Sequence, residues 1–327
     1  MPDSSPGFVR ADSLTRRFGD ILAVDRLSFS VDRGELFGLV GPDGAGKTTT
    51  LRMLAGVLRP TSGEAWLDRL SIARDPEKGK QRIAYMPQRF GLYGDLTVLE
   101  NLHFYADLYR VPRRERPERL ERLFRFSQLA PFQDRLAGRL SGGMKQKLAL
   151  SCALIHQPEV LLLDEPTFGV DPVSRRDLWL IVHEMVASGV TVIASTAYLD
   201  EAERFDRIAL LHHGVALDVA APADLIASIK EEILEVRVDR VREAKAAVER
   251  LAGVRRTTIF GERLHVTMAG RSGGGAAGAA AGAAAAAAAA IEGALEQAGF
   301  AVQSVGRVEP SLEDLFIERV SGEESRE

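Results

Sequence analysis

The chain has 327 residues, of which 46% are hydrophobic and 27% charged, and its formal net charge is −4. This length and balance predict one large domain or, preferably, two, with an ample core. Mixed charges with a slightly acidic sum exclude a nucleic-acid-binding surface as the main activity. The single cysteine, Cys152, excludes an internal disulfide framework and predicts a small buried residue on a helix.

The sequence predicts no membrane-spanning segment and no signal peptide. The longest apolar run, 283–291, is mostly alanine and is shorter than the roughly 20 residues that cross a bilayer. The first residues contain no basic segment followed by an apolar one. A function at a membrane would therefore require a membrane-embedded partner.

The N-terminal part predicts strands and turns. Residues 8–11 and 27–31 alternate between apolar and polar, as strands do, with Gly19 and Asp20 between them. Phe18 falls in a predicted exposed loop just before that pair. An aromatic ring there can stack on a nucleobase, and the alternative is a core phenylalanine at a strand end.

The segment 41–48, Gly-Pro-Asp-Gly-Ala-Gly-Lys-Thr, fits the phosphate-loop pattern. A short apolar strand, 35–40, precedes it, and apolar residues at helical spacing follow in 49–55. Glycines let backbone N–H groups turn towards a phosphate, and the helix N-terminus adds partial positive charge. Lys47 can reach the outer phosphates, and the Thr48 hydroxyl can ligate Mg²⁺.

The middle of the chain predicts one more strand at 82–87, a helix at 97–110 and a highly charged helix at 113–126 with a solvated face. Ser141 is the predicted N-cap of a helix that runs to 155, and its two glycines offer a second candidate anion site. Residues 160–165 form a wholly apolar strand that ends in two carboxylates. This pattern predicts a central strand of a parallel sheet with ligand-binding groups at its carboxyl end.

Further predicted elements are a helix at 175–188, a strand at 190–196, a helical turn at 199–204 and a strand at 207–211. His212-His213-Gly214 predicts a hairpin turn. We interpret its two histidines as solvated, because no third metal ligand stands nearby.

After about residue 222 the pattern changes to β-α-β-β-α-β, which predicts a small ferredoxin-like sandwich. A Gly/Ala-rich insertion at 271–290 precedes the second helix, predicted at 291–298. Its glycines predict a flexible linker, and its alanines can extend the following helix backwards. Residues 310–317 predict a capped amphipathic helix.

Taken together, these motifs resemble the ATP-binding subunit of an ABC transporter over residues 8 to about 222. The phosphate loop, Tyr85-Met86-Pro87-Gln88, Leu140-Ser141-Gly142-Gly143 and the segment 161–167 follow the order and spacing of that family. The resemblance implies an α/β phosphate-loop NTPase with a mixed central sheet and a helical signature subdomain. A small α+β domain of ferredoxin-like type would follow, with domain bounds at 8–222 and 230–320.

The resemblance also implies a composite ATP site with Mg²⁺. The implied ATP contacts are Phe18, Gly41, Pro42, Asp43, Gly44, Ala45, Gly46, Lys47, Thr48 and Thr49. Thr48, Gln88 and Asp164 would hold Mg²⁺, while Glu165 would polarise the attacking water with Gln88 completing the shell. Ser141, Gly142 and Gly143 would contact the γ-phosphate on a second nucleotide-binding domain, across an interface crossed by 168–171. A monomer is therefore expected to be nearly inactive.

Finer features resemble drug-export ATPases that pair with ABC-2 type permeases. They are Met144 in the signature, the segment 96–102 and the ending 311–316. The implied partners are such a permease and a second nucleotide-binding domain, identical or not, with no nucleic acid. The implied location is cytoplasmic and peripheral, on the inner face of the cell membrane.

Ala197 departs from the family pattern, because a switch histidine that contacts the γ-phosphate normally occupies this position. Losing one such polar group typically lowers a rate by about 10²–10³. Either water or a neighbour fills in, or the chain is the weakened half of an asymmetric pair, or a regulatory module that binds ATP and scarcely hydrolyses it. Asp43 also replaces the usual Asn. A non-transport ABC ATPase is a further alternative, although the chain has one module and no long basic insertion.

Overall fold

The computed structural model describes residues 7–269 and 277–324, and these form two compact units that divide after Pro222. The strands of the first unit are β1 Val9–Phe18, β2 Ile21–Val31, β3 Leu36–Val40, β4 Ser62–Leu67, β5 Leu70–Ser71, β6 Ile83–Met86, β7 Val160–Asp164, β8 Thr191–Thr196, β9 Arg207–His212 and β10 Val215–Ala220. Its helices are α1 Lys47–Leu54, α2 Pro76–Arg82, α3 Val98–Leu108, α4 Arg116–Ser127, α5 Gly142–Leu154, α6 Pro172–Ala187 and α7 Leu199–Ala202, and α8 Pro222–Ala227 starts where the unit ends.

The central sheet is mixed, as predicted, in the order β10-β9-β3-β8-β7-β6. Strands β9, β3, β8, β7 and β6 pair in parallel, and β10 pairs antiparallel with β9. Every residue of β7 is buried, which confirms the central strand that its apolar run predicts. The carboxyl ends of β6, β7 and β8 consequently lie side by side at one edge of the sheet.

A second sheet, in the order β2-β1-β4-β5, is antiparallel throughout. The two sheets and α1 share one apolar core. Phe29 of β2 stacks on Phe37 of β3 with ring centroids 5.2 Å apart, and Leu51 of α1 is fully buried beside them. Burial of each such side chain contributes roughly 1.5–3 kcal/mol to folding. The packing therefore holds β3 and α1, which flank the glycine-rich loop, in fixed positions.

Helices α3, α4 and α5 pack together as a helical part of this unit. Helix α3 begins with a reciprocal cap, in which Thr97 and Glu100 each accept a backbone N–H from the other. Helix α4 buries Leu120 and Leu123, as predicted, but Arg116 and Arg119 are largely buried and donate to the carbonyl oxygens of Val111 and Ile155, so its charged face is only partly solvated. Cys152 lies buried in α5, also as predicted, and burial raises the pKa of its thiol.

The second unit contains β11 Ile233–Val238, α9 Val241–Val248, β12 Val254–Phe260, β13 Arg263–Met268, α10 Ala277–Gln297, β14 Val302–Val308 and α11 Leu312–Glu324. Its antiparallel sheet has the order β12-β13-β11-β14, the arrangement of a ferredoxin-like sandwich. Leu234 and Val236 of β11 pack with Ile291 and Leu295 of α10. Ser311 and Asp314 cap α11 reciprocally, through Ser311 N–H to Asp314 and Asp314 N–H to Ser311.

Several elements differ from the sequence-based bounds. Helix α10 begins at Ala277, so the alanine run extends the helix backwards from 291 as its high helix propensity predicts. The predicted glycine linker, 271–275, lies outside the described residues. Strand β1 continues to Phe18, so the predicted loop at this position is wrong. The hairpin turn predicted at His212-His213-Gly214 is confirmed, because β9 and β10 pair antiparallel on either side of it. Helix α2 was not predicted from the sequence.

Candidate functional site

The glycine-rich loop connects β3 to α1, and two of its glycines are required by close packing. A Cβ atom on Gly41 would lie 2.2 Å from the carbonyl oxygen of Leu211. Gly46 has φ +97°, and a Cβ atom there would lie 2.6 Å from the carbonyl oxygen of Ala23. Neither position accepts a side chain. The loop is therefore held between β9 and β2.

Lys47, the first residue of α1, is only 4% exposed. Its Nζ donates to the carbonyl oxygens of Gly41 at 2.8 Å and Pro42 at 3.0 Å. The same atom lies 3.2 Å from Oε1 of Glu165. The predicted phosphate-binding lysine and the predicted catalytic carboxylate are thus in direct contact.

Asp164, at the carboxyl end of β7, accepts three hydroxyl hydrogen bonds. Oδ1 accepts from Thr48 Oγ1 at 2.8 Å and from Ser195 Oγ at 2.9 Å. Oδ2 accepts from the hydroxyl of Tyr85 at 3.0 Å. Burial, assisted by the charge of Asp164, raises the pKa of Tyr85 to about 12, so this hydroxyl remains a donor at neutral pH.

Glu165 follows β7 in a left-handed conformation with φ +48°. This region is uncommon for residues other than glycine, and such strain concentrates at functional sites. Its N–H donates to Ser195 Oγ at 3.0 Å, and its Oε2 accepts from Gln88 Nε2 at 3.0 Å. The Ser195 hydroxyl therefore holds the backbone of Glu165, while the Gln88 amide and the Lys47 ammonium hold its carboxylate.

These groups face one open cleft of about 620 Å³. The cleft is lined by Ile21, Leu22, Ala23, Asp43, Gly44, Ala45, Gly46, Lys47, Thr48, Thr49, Gln88, Glu165, Phe168 and His213. The predicted loop residues from Asp43 to Thr49 are in this set, while Gly41, Pro42 and Asp164 lie directly behind Lys47 and Thr48. The sequence analysis did not assign Ile21, Leu22, Ala23 or His213 to the site.

Phe18 lies at the end of β1 and is itself described, but it is not among the residues that line the cleft. Its hairpin partner Ile21 lines the cleft instead. The ring is 44% exposed, which excludes the alternative of a core phenylalanine. The guanidinium carbon of Arg16 lies 4.4 Å from the ring centroid, so one face of the ring is covered.

The second glycine-rich turn begins α5. Ser141 caps this helix, as predicted, by accepting the N–H of Met144 at 3.3 Å. In the described part of the chain, Ser141, Gly142 and Gly143 do not line the cleft. A Cβ atom on Gly143 would lie 2.4 Å from Cβ of Ser174, so α5 and α6 touch at this glycine.

Ala197 is an exposed residue that directly follows β8. The segment around it is fixed by Glu201, which is 1% exposed. Glu201 accepts from Thr196 Oγ1 at 2.7 Å, from Thr167 Oγ1 at 3.0 Å and from Trp179 Nε1 at 3.1 Å. This buried carboxylate therefore ties the Ala197 segment to the segment after Glu165.

Sequence analysis missed Tyr85, Ser195 and Glu201. Tyr85 and Ser195 lie within sequence motifs, three residues before Gln88 and two residues before Ala197. The sequence gives only a weak indication of Glu201, namely an acidic residue four positions after Ala197. Each one has at least one partner more than 30 residues away along the chain, which local patterns do not reveal.

No helix in the described ranges 7–269 and 277–324 is both long enough and apolar enough to cross a membrane.

The parallel sheet, the glycine-rich loop and the carboxylates at the end of β7 define a phosphate-loop nucleotide-binding protein. A family model described as "ABC transporter" matches residues 24–168. The chain is 36% identical over 250 residues to the Nod factor export ATP-binding protein I of Ralstonia nicotianae, covering 76% of this chain and 78% of that protein. The chain belongs to the ABC transporter family of ATP-binding proteins.

Other relatives agree. The chain is 44% identical over 225 residues to the probable multidrug ABC transporter ATP-binding protein YbhF of Escherichia coli. That match covers 68% of this chain and 39% of YbhF, so the chain spans about two fifths of this relative's length. A solved ATP-binding subunit of an ABC transporter is similar with a TM-score of 0.61 and 31% identity, over 67% of this chain and 92% of the other. A dimeric ATP-binding cassette, solved in a post-hydrolysis state with ADP and phosphate, is similar with a TM-score of 0.59 and 26% identity. The match covers 65% of this chain and 98% of the other.

Proposed function

We propose that this chain is the ATP-binding and ATP-hydrolysing motor subunit of an ABC-type efflux transporter. The observation that carries the proposal is the convergence of Lys47, Gln88 and Glu165 on one cleft, with Thr48 hydrogen-bonded to Asp164 behind it. Phosphoryl transfer depends mainly on positioning and on neutralising charge, and these groups supply both.

The loop from Gly41 to Thr48 binds the phosphates of ATP. The close fit of Gly41 and Gly46 keeps the backbone in the conformation that directs N–H groups at an anion. Lys47 holds the outer phosphates, since its Nζ already lies next to Glu165 at the catalytic end of the cleft. Thr49 and Asp43 line the same cavity.

The donor set fits Mg²⁺. The Thr48 hydroxyl and the Asp164 carboxylate lie 2.8 Å apart, and hard oxygen ligands of this kind suit Mg²⁺. We assign Thr48, Asp164 and the Gln88 side chain as the residues that hold it, Asp164 through water. When bound, Mg²⁺ neutralises charge on the phosphate oxygens. Tyr85 and Ser195 orient Asp164 for this task through their hydroxyls.

Glu165 orients and polarises the water that attacks the γ-phosphate. The Ser195 and Gln88 hydrogen bonds hold its backbone and carboxylate in place. This preorganisation removes the need to reorient the carboxylate during the reaction.

We further propose that two nucleotide-binding domains sandwich ATP, with Ser141, Gly142 and Gly143 of one facing the γ-phosphate held by the other. Two observations support this: the α5 turn lies outside the chain's own cleft, and a similar cassette is dimeric in a post-hydrolysis state. The second domain is another copy or a related chain.

Relatives named for multidrug transport, Nod factor export and linearmycin resistance support efflux as the direction. We propose an ABC-2 type permease as the membrane partner, on the basis of Met144 and of the segments 96–102 and 311–316. The chain would act at the cytoplasmic face of that membrane.

Ala197 is the observation behind a second candidate, a regulatory module that binds ATP and scarcely hydrolyses it. The relatives do not favour this candidate, because their printed names describe transport and resistance. The same names do not favour a non-transport ABC ATPase.

ATP hydrolysis by the full-length chain tests the leading proposal. We expect the specific rate to rise with protein concentration, because each active site requires two chains. Glu165→Gln should lower the rate by about 10²–10³, since it removes the carboxylate that polarises water. It should still bind ATP. Wild-type hydrolysis that persists in Glu165→Gln would refute the assignment, and binding without hydrolysis in wild type at every concentration, with the permease present, would favour the regulatory module.

A further inference from the structure

Four residues that line the nucleotide cleft, at positions 21–23 and 213, have no assigned ligand contact. Lys47, Gln88 and Glu165 mark the place where the outer phosphates lie. Ala23 and Gly214 instead border Gly46 of the glycine-rich loop. ATP is a linear molecule, so its ribose and base extend away from the groups that hold the outer phosphates.

His213 lies in the two-residue turn between β9 and β10, where His212 pairs with Val215. Both central residues have positive φ, +44° for His213 and +84° for Gly214. A hairpin turn of this kind favours Asn-Gly or Gly-Gly. Histidine is one of the residues that tolerate a positive φ, so the turn holds the imidazole on a defined backbone.

The turn is attached directly to the glycine-rich loop. Gly214 N–H donates to the carbonyl oxygen of Ala45 at 3.2 Å, and Asp25 N–H donates to the carbonyl oxygen of Gly214 at 2.9 Å. A Cβ atom on Gly214 would lie 2.9 Å from the carbonyl oxygen of Ala23. These contacts fix the position of His213 relative to the phosphate-binding backbone, so its side chain lines the cleft from a rigid support.

We propose that His213 contacts the nucleoside part of bound ATP. Its imidazole is exposed and offers one N–H donor and one acceptor nitrogen when neutral, which suits the ribose hydroxyls and the polar edge of a base. This inference rests on the proposed function of the cleft as an ATP site.

Phe18 is the residue that the family resemblance assigns to the base of ATP. Phe18 does not itself line the cleft, and the Arg16 guanidinium covers one face of its ring. The polar contact proposed for His213 is therefore separate from the ring stacking that the resemblance implies for Phe18.

The test compares two ligands on the full-length chain, ATP and inorganic tripolyphosphate, by equilibrium binding. His213→Gly removes the imidazole and accepts the positive φ without strain. We expect it to weaken ATP binding by about three- to tenfold, the value of one net hydrogen bond, and to leave tripolyphosphate binding unchanged. Lys47→Ala should weaken the binding of both ligands.

His183→Ala is the control, because His183 is an exposed histidine on α6 and lies outside the cleft lining. It should leave the affinity for both ligands unchanged. Equal affinity of wild type and His213→Gly for ATP would overturn the proposal. Equal losses for ATP and tripolyphosphate would also overturn it, because the turn would then act by supporting the loop. Absence of ATP binding by wild type, in contrast, would refute the proposed function itself.

Discussion

Two glycine-rich turns begin helices in the first unit, and different kinds of residue lie next to each of them. The turn before α1 faces Glu165 and Gln88 within a cleft, with Asp164 behind it. The turn before α5 is capped by Ser141 and fits against Ser174 of α6, away from that cleft. A helix N-terminus offers the same backbone donors in both places. The first turn therefore lies among the chemical groups of the chain's own cleft, and the second is the turn that we propose faces a nucleotide on another molecule.

Ala197→His tests whether the cleft at the α1 turn lacks only one polar group for rapid ATP hydrolysis. We expect the maximal hydrolysis rate to rise by about 10²–10³, because a histidine at this exposed position can donate to the γ-phosphate. The dependence of the hydrolysis rate on protein concentration should not change, since this substitution leaves the turn before α5 unaltered. Steady-state ATP hydrolysis at saturating ATP measures both.

Ala197→Leu is its control, because leucine adds comparable volume without a hydrogen-bond donor. Its rate should stay near that of wild type. Ordinary turnover by wild type with no gain in Ala197→His would show that the site tolerates alanine.

The roles of the two turns can be distinguished by measuring the ATP affinity of two variants, Lys47→Ala and Ser141→Ala. Lys47→Ala should weaken ATP binding to the isolated chain by about 10- to 100-fold, because it removes charge-assisted hydrogen bonds. Ser141→Ala should leave this affinity unchanged. It should slow ATP hydrolysis only at protein concentrations at which two chains associate. Calorimetric titration at low protein concentration checks the first statement. A weaker ATP affinity of monomeric Ser141→Ala would contradict the separation.

Gly143→Ala probes the packing that distinguishes the α5 turn. Its new Cβ atom would meet Ser174 Cβ at 2.4 Å, so we expect a loss of about 1–3 kcal/mol in the free energy of unfolding. Gly142→Ala is the matched control, because its nearest neighbour would be 3.9 Å away. Urea unfolding measures both variants. Adding Ser174→Gly to Gly143→Ala should restore stability, and failure to do so would place the strain elsewhere.

Tyr85→Phe is expected to have the smallest effect of these substitutions, and the effect is on the free energy of unfolding. It removes the hydrogen bond to Asp164 and should lower the free energy of unfolding by about 1 kcal/mol at neutral pH. The folded pKa of Tyr85 is raised to about 12, above the value of about 10 for an unfolded tyrosine. Its contribution is therefore complete below pH 10 and is lost as the pH rises towards 12. The stability difference between wild type and variant should narrow over this interval, and a constant difference would contradict this account.

The sequence was sufficient for the features that depend on local pattern. The strand–loop–helix around Gly41 to Thr48 and the buried strand β7 follow from apolar runs and glycine spacing. The Ser141 cap follows from a serine placed before a helical pattern. Residues in these motifs are near in sequence, so a short window contains the whole signal.

Other features could not be predicted, because they depend on contacts distant in sequence. The Tyr85–Asp164 hydrogen bond joins residues 79 positions apart, and the Ser195–Asp164 bond joins residues 31 apart. Their register depends on the pairing of β6, β7 and β8, which alternation alone does not fix. Phe18 shows the same limit, since its distance from the cleft depends on where β1 ends and turns into β2.

The contact at Gly143 has a mechanical consequence. Protein interiors are close-packed and transmit displacement, and α5 and α6 touch here with no room for one methyl group. Ser174, on the far side of the contact, donates its N–H to Asp171, which caps α6. Contacts thus run without a gap from the Ser141 turn through Ser174 and Asp171 to the loop 168–171, whose Phe168 lines the cleft. We therefore expect a displacement of the Ser141 turn to shift this loop as well.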